Sequence, residues 1–198
     1  MHVFINDREI QTGAHGGATV GEIVEASRMH VDPREIVTAV VLDGVEINAG
    51  DEPRYARRAA GSVERLVIRT ASPAAFTADK RRSLVGALDQ VAERTRIVVV
   101  LLREAETRAA NGLLANLMEE VRLSMLLDYQ LALLASDAPS EARQAIADLA
   151  PALLDAEERR AWDTLAGLLD TRLAPIIEGW AASTRARLDA GASSAAAS

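Results

Sequence analysis

The chain has 198 residues and a net charge of −7, and 49% of its residues are hydrophobic although only 3% are aromatic. It contains no cysteine, which excludes disulfides, thiolate catalysis and cysteine-ligated metal centres. The acidic balance does not suit a general nucleic-acid surface, and the longest wholly apolar run, residues 97–102, is too short to cross a bilayer. We therefore expect a cytoplasmic protein with no nucleic-acid and no membrane partner.

The first third of the chain has the pattern of short strands around one helix. Residues 3–5 and 9–10 are predicted to form one hairpin, and residues 36–42 and 45–47 a second hairpin around Asp43 and Gly44. Between them, Thr19 and Glu22 have the spacing of a capping box at a helix start. Residues 63–69 are predicted as the last strand, which gives the order β-β-α-β-β-β.

Four segments of this region resemble the ubiquitin-like β-grasp fold, and more closely its sulfur-carrier branch, the ThiS/MoaD-like proteins. They are the first hairpin (residues 3–10), the helix start (18–24), the central hairpin (40–47) and the final turn and strand (61–68). The resemblance implies a β-grasp domain in residues 1–72. In a carrier it also implies a C-terminal Gly-Gly whose carboxylate is the reactive group.

The chain departs from that carrier pattern at the end of the last strand. Residues 70–73 continue directly into a helical pattern, and the only Gly-Gly, Gly16 and Gly17, is internal. Carrier chemistry therefore lacks its reactive group, and the use of the fold that remains is a docking surface. Fold alone does not decide function.

Beyond residue 76 the apolar residues recur every three or four positions, which predicts helices. A first long helix is expected to begin near Thr77 and to follow a heptad pattern. A second helix over residues 113–135 would follow a turn at Asn111 and Gly112, although a continuous helix through these residues stays open.

Two prolines are expected to interrupt the last helices. Pro151 should end or redirect a short helix capped by Ser140, and Pro175 should kink a final helix that begins near Asp155. The predicted fold class is thus α+β. It consists of a β-grasp domain (1–72), an antiparallel bundle of three to four helices (76–190) and a disordered tail (191–198).

No arrangement of residues predicts a catalytic, cofactor or metal site. His2, His15 and His30 lack metal-ligand spacing. Adjacent carboxylates such as Glu157 and Glu158 point about 100° apart on a helix, so they do not converge for acid–base work. We therefore expect no cofactor, no metal and no enzymatic activity.

The leading hypothesis is a non-enzymatic cytoplasmic interaction protein, an adaptor or chaperone. Its helices would bind a protein partner or form a homo-oligomer. Two alternatives stay open: a ubiquitin-like or sulfur-carrier-type protein that requires processing, and a small-molecule-binding enzyme with its site at the domain junction. The candidate partner-binding residues are Val40, Leu42, Leu84, Val91, Val98 and Trp180.

Overall fold

The computed structural model describes residues 1–12, 17–47 and 51–196. It has the predicted α+β class, in which a five-stranded mixed sheet precedes a mainly helical region. The chain divides into two compact units, Met1–Phe76 and Thr77–Ser198. Two residues of the predicted early loop, His15 and Gly16, lie outside the described residues.

The first unit is built on a sheet with strand order β2-β1-β5-β3-β4. The first and last strands, β1 and β5, are parallel, and the other pairs are antiparallel. Asp43 and Gly44 both have positive φ, 49° and 87°, as a two-residue turn between twisted strands requires. The strands are β1 His2–Ile5, β2 Arg8–Ile10, β3 Ile36–Leu42, β4 Val45–Glu46 and β5 Arg65–Ala71.

One helix, α1 (Val20–Ser27), packs on the sheet of the first unit through Val20 and Ile23. The predicted capping box is confirmed, because the Glu22 amide donates to the Thr19 hydroxyl and the Thr19 amide donates to the Glu22 carboxylate. The pKa of Glu22 is lowered by the hydrogen bonds that its carboxylate accepts, first from the Thr19 amide and then from the Thr19 hydroxyl. A short helix that the sequence did not predict, α2 (Glu52–Ala56), also contacts α1.

The second unit has a hydrophobic core built mainly from leucine, valine and alanine. Its longest helices each exceed six turns, so heptad-spaced residues can remain on one side over a long distance. The helices are α3 Pro73–Arg103, α4 Thr107–Ala135, α5 Ala142–Glu158, α6 Trp162–Leu168 and α7 Ala174–Ala196, with a π-helix at Leu169–Leu173 between α6 and α7.

The turn between α3 and α4 lies earlier than the sequence suggested. It falls at residues 104–106, where Ala105 has a left-handed φ of 60°. Asn111 and Gly112 lie inside α4, which settles the open question in favour of a continuous helix. The start of α3 is also earlier than predicted: the Ser72 hydroxyl accepts from the Ala75 amide at 3.2 Å, and Thr77 is a buried residue within the helix.

The predictions that Pro151 ends or redirects its helix and that the last helix begins near Asp155 were wrong, because both residues lie inside α5. α5 continues through Pro151, because Leu149 and Leu153 on either side of it are both buried and keep the helix in place. In a regular α-helix the ring of Pro175 would clash with the carbonyl four residues earlier. Just before Pro175 the helix instead widens into the π-helix. α7 then continues to Ala196, into the segment where the sequence predicted disorder.

Three ion pairs show that α3 runs antiparallel to α7 and the π-helix. Asp89 pairs with Arg185 at 2.5 Å, Arg96 with Glu178 at 2.5 Å, and Arg103 with Asp170 at 2.7 Å. Partners on α3 are seven residues apart. Their partners Arg185, Glu178 and Asp170 are separated by seven and then by eight residues. The wider π-helix accommodates the additional residue.

Candidate functional site

The residues predicted to contact a partner lie in the two hydrophobic cores. Leu42 is buried in the first unit, where Val40 is half-buried against the same core. The other four are buried in the core of the second unit, namely Leu84, Val91, Val98 and Trp180. Side chains already packed inside the chain are not accessible to a partner. A contact surface must therefore be formed by other residues.

The most exposed run of large apolar side chains in the second unit lies on α4. We call it the leucine row: Leu123, Leu126, Leu133 and Leu134, with exposures of 49%, 50%, 59% and 40%. The core residues of the same helix include Leu117, Val121, Ser124 and Leu131. Leu123 follows the core residue Val121 by two residues, and Leu126 follows the core residue Ser124 by two. Two residues correspond to a rotation of about 200° around the helix axis. The row and the core therefore occupy opposite sides of α4.

Charged groups near the leucine row are paired with one another. Arg122 donates two hydrogen bonds of 2.7 Å to Glu119 on the same helix. These bonds lower the pKa of Glu119 and raise that of Arg122. Glu120 forms an ion pair with Arg94 of α3. Since these groups neutralise each other, the row is an apolar surface with balanced charges beside it.

The junction of α4 and α5 is held by polar contacts close to the row. The buried Asp128 carboxylate accepts a hydrogen bond of 3.0 Å from the Ser140 amide, which fixes the start of the next helix. The Arg143 guanidinium lies 5.0 Å from the centre of the Tyr129 ring, a cation–π contact between α5 and α4. These contacts hold the two helices together beside the row.

An apolar crevice of about 300 Å³ opens at the other end of the α4–α5 contact. Its walls are Leu114 and Met118 of α4, Leu153 and Leu154 of α5, and Leu165 of α6. The small side chains of Ala115 and Ala150 also line it, and Glu157 supplies the carboxylate. Leu154 is 57% exposed, so the crevice has an apolar border at the surface.

The sheet of the first unit has a further exposed surface. Arg65 lies 4.6 Å from the centre of the Phe4 ring, and His2 Nδ1 lies 2.6 Å from a Glu9 carboxylate oxygen. Phe4 pairs with Val67 across β1 and β5. This surface mixes charged and aromatic groups, so it is less apolar than the leucine row.

The described residues contain no arrangement suited to a metal. Within residues 1–12, 17–47 and 51–196, no group of three or more histidine, aspartate or glutamate side chains could hold a metal ion. None of the helices described is long and apolar enough to cross a bilayer.

Comparison with known proteins relates only the first unit to a family. The family model described as TP0873 N-terminal domain matches residues 1–72, which is 72 of the 198 residues. No curated protein and no solved structure matches the chain. The leucine row and the crevice both lie outside the matched residues.

The sequence contains the leucines of the row but does not reveal their exposure. Leucine, valine or alanine occurs on every side of α4, so periodicity alone does not separate a core side from a partner side. One signal is available: Leu126 and Leu133 are seven residues apart, on a different side of the helix from the buried Leu117, Val121 and Leu131.

Proposed function

We propose that this protein is a non-enzymatic interaction protein of the cytoplasm, an adaptor or chaperone, whose second unit binds a protein partner through the leucine row. One observation carries the proposal: four leucines of α4 are exposed although the opposite side of the same helix is fully packed. Scattered single apolar residues are ordinary on protein surfaces, whereas a contiguous apolar patch marks an interaction site.

The size of the leucine row sets the strength of binding that it can support. Full burial of one leucine contributes about 1.5–3 kcal/mol. Covering four half-exposed leucines therefore contributes roughly 4 kcal/mol, which is comparable to the lower estimates of about 4 kcal/mol for the entropic cost of association. The row alone supports only transient binding, and a stable complex needs a further anchoring contact.

The first unit is proposed to be a β-grasp domain that serves as a second docking element. Its parallel β1–β5 pair at the centre of a mixed sheet, with α1 against one side, supports this proposal. The continuation of β5 into α3 without a Gly-Gly disfavours a carrier that reacts through its C-terminus. An interaction role needs no such group.

The proposal is tested with the full chain carrying Leu126→Glu and Leu133→Glu. Tagged wild-type protein, this variant and a control with Ile97→Glu and Val100→Glu are purified from the native cell and compared by quantitative mass spectrometry. Ile97 and Val100 are also exposed apolar residues, but they lie on α3, so the control introduces the same charges elsewhere.

The expected result is that a partner recovered with the wild type is lost from the leucine-row variant and kept by the α3 control. Thermal unfolding of all three proteins should give similar Tm values, since the four positions are exposed. Equal recovery of every partner by the leucine-row variant and the wild type would contradict the proposal.

A further inference from the structure

One residue of the crevice, Ala115, lies on the same side of α4 as Leu126 and Leu133 of the leucine row. Ala115 of the crevice and Leu133 of the row are 18 residues apart, which is five turns of an α-helix with 3.6 residues per turn. Leu126 lies 11 residues from Ala115, close to three turns. Ala115, Leu126 and Leu133 therefore lie on one strip of α4, about 27 Å long at 1.5 Å per residue. Arg122, paired with Glu119, lies on this strip between Ala115 and Leu126. A partner helix lying along this strip could contact both the crevice and the leucine row.

The crevice provides the deeper contact that the leucine row lacks. Its volume of about 300 Å³ is sufficient for a large apolar side chain to enter between α4 and α5. Ala115 and Ala150 contribute only methyl groups to its lining, while Leu153 and Leu165 are buried beneath the surface. An amphipathic helix binds a hydrophobic groove through several apolar anchor side chains, and the crevice can take one of them.

Among the residues that the structure describes, Glu157 is the only charged one that lines the crevice. Within the described part of the chain its carboxylate has no hydrogen bond or ion pair. The neighbouring Arg159 pairs instead with Asp155 at 2.8 Å. The crevice is therefore apolar inside, with an uncompensated negative charge in its lining. A partner that complements it carries an apolar side chain next to a cation.

We infer that the strip binds an amphipathic helix of a partner protein, with one large apolar side chain in the crevice and an adjacent lysine or arginine facing Glu157. This inference rests on the proposed function and names the chemistry of its partner. The remaining apolar side chains of that helix, at heptad spacing, lie on the leucine row.

The charges disfavour a second copy of the chain as the occupant. In a two-fold antiparallel pairing about the middle of the strip, Leu133 of one copy would enter the crevice of the other. The polar residues closest to Leu133 in this part of the sequence are Gln130, Ser136 and Asp137, and none of them is a cation. Arg81, which is paired with Asp137, is not free to compensate Glu157. Self-pairing would therefore leave the crevice carboxylate without a cation.

Two synthetic peptides test the inference with the purified full chain. Each has about 20 residues, long enough for appreciable helix formation, with leucines at heptad spacing. They differ only in a lysine or a glutamate beside one terminal leucine. By fluorescence anisotropy the wild type should bind the lysine peptide about tenfold more tightly than the glutamate peptide.

Variants of the crevice provide matched controls. Glu157→Lys should reverse the preference for the lysine peptide. Glu158→Lys makes the same change in net charge beside the crevice and should leave this preference unchanged. Ala150→Phe should fill the crevice and weaken binding of the lysine peptide at least tenfold, or about 1.4 kcal/mol. Ala147→Phe on the same helix, outside the crevice lining, should have little effect. Because Glu157 is exposed, its variant stays informative if Ala150→Phe fails to fold.

Several results would overturn the inference. These are no binding of either peptide, equal effects of Glu157→Lys and Glu158→Lys, or a dimer by light scattering that Ala150→Phe dissociates. The cellular experiment separates the two proposals. If the leucine-row variant loses its partner while Glu157→Lys and Ala150→Phe keep it, the inference about the crevice fails and the proposed function stands. If the leucine-row variant also keeps it, both fail.

Discussion

Leucines on α4 have two different roles that depend only on their position around the helix. Leu117 is fully buried in the core, whereas Leu126, nine residues later, is half-exposed. Nine residues make two and a half turns of an α-helix, so the two side chains point to opposite sides. The same residue type stabilises the fold at one position and is available for binding at the other.

This difference in burial predicts that two alanine substitutions change the free energy of unfolding by very different amounts. Leu117→Ala should lower the free energy of unfolding by about 2–5 kcal/mol, because it removes buried methyl groups and leaves a cavity. Leu126→Ala should change it by no more than about 0.5 kcal/mol, as for an ordinary surface position. Urea unfolding followed by circular dichroism measures both. A large loss of stability in Leu126→Ala would show that the row supports the fold rather than a partner.

At the scale of elements, the sequence predicted the sheet better than the helices. The strands and the capping box at Thr19 were evident because alternation, turn residues and capping residues are local signals. The helix boundaries expected near Gly112, Pro151 and Asp155 were not, because each depends on packing. Burial of side chains before and after Pro151 outweighs its cost of about 3 kcal/mol in a helix interior.

The packing of α3 against α7 shows a second effect that local patterns cannot reveal. The eight-residue spacing between Asp170 and Glu178, against seven between Arg96 and Arg103, is visible in the sequence. Its meaning depends on knowing which charges pair. The π-helix before Pro175 both accommodates the proline and brings Asp170 within reach of Arg103.

The continuity of α4 is tested by Gly112→Ala. A Cβ at Gly112 would meet no atom within 4 Å, and alanine is favoured over glycine in a helix interior by about 0.5–1 kcal/mol. The variant should therefore be more stable by that amount in urea unfolding. Gly44→Ala is the matched control: its φ of 87° disfavours a side chain, so it should be destabilising. A loss of stability in Gly112→Ala would indicate a turn at this position.

At the scale of the whole molecule, the two units carry different kinds of information. The first unit matches a family model over residues 1–72, and its fold pattern is readable from sequence. The proposed site lies in the second unit, where leucine and alanine fill core and surface alike. The candidate site could not be predicted from the sequence: of the six residues selected, five are buried in the cores and Val40 is half-buried against one of them.

The absence of cysteine permits a direct measurement of the proposed binding surface. Single cysteines introduced as Leu126→Cys and Ile97→Cys each carry a short photo-crosslinker without a competing thiol. Both positions are about half-exposed, so they label equally well, but only Leu126 belongs to the leucine row.

Crosslinking of the two labelled full chains in native extract is followed by mass spectrometry. We expect Leu126→Cys to crosslink one partner reproducibly, at leucine-rich helical peptides of that partner. Ile97→Cys should give none of that product. Equal crosslinking of the same partner from Ile97→Cys, or its crosslinking from Ile97→Cys alone, would contradict the central claim that this protein binds through the exposed leucines of α4.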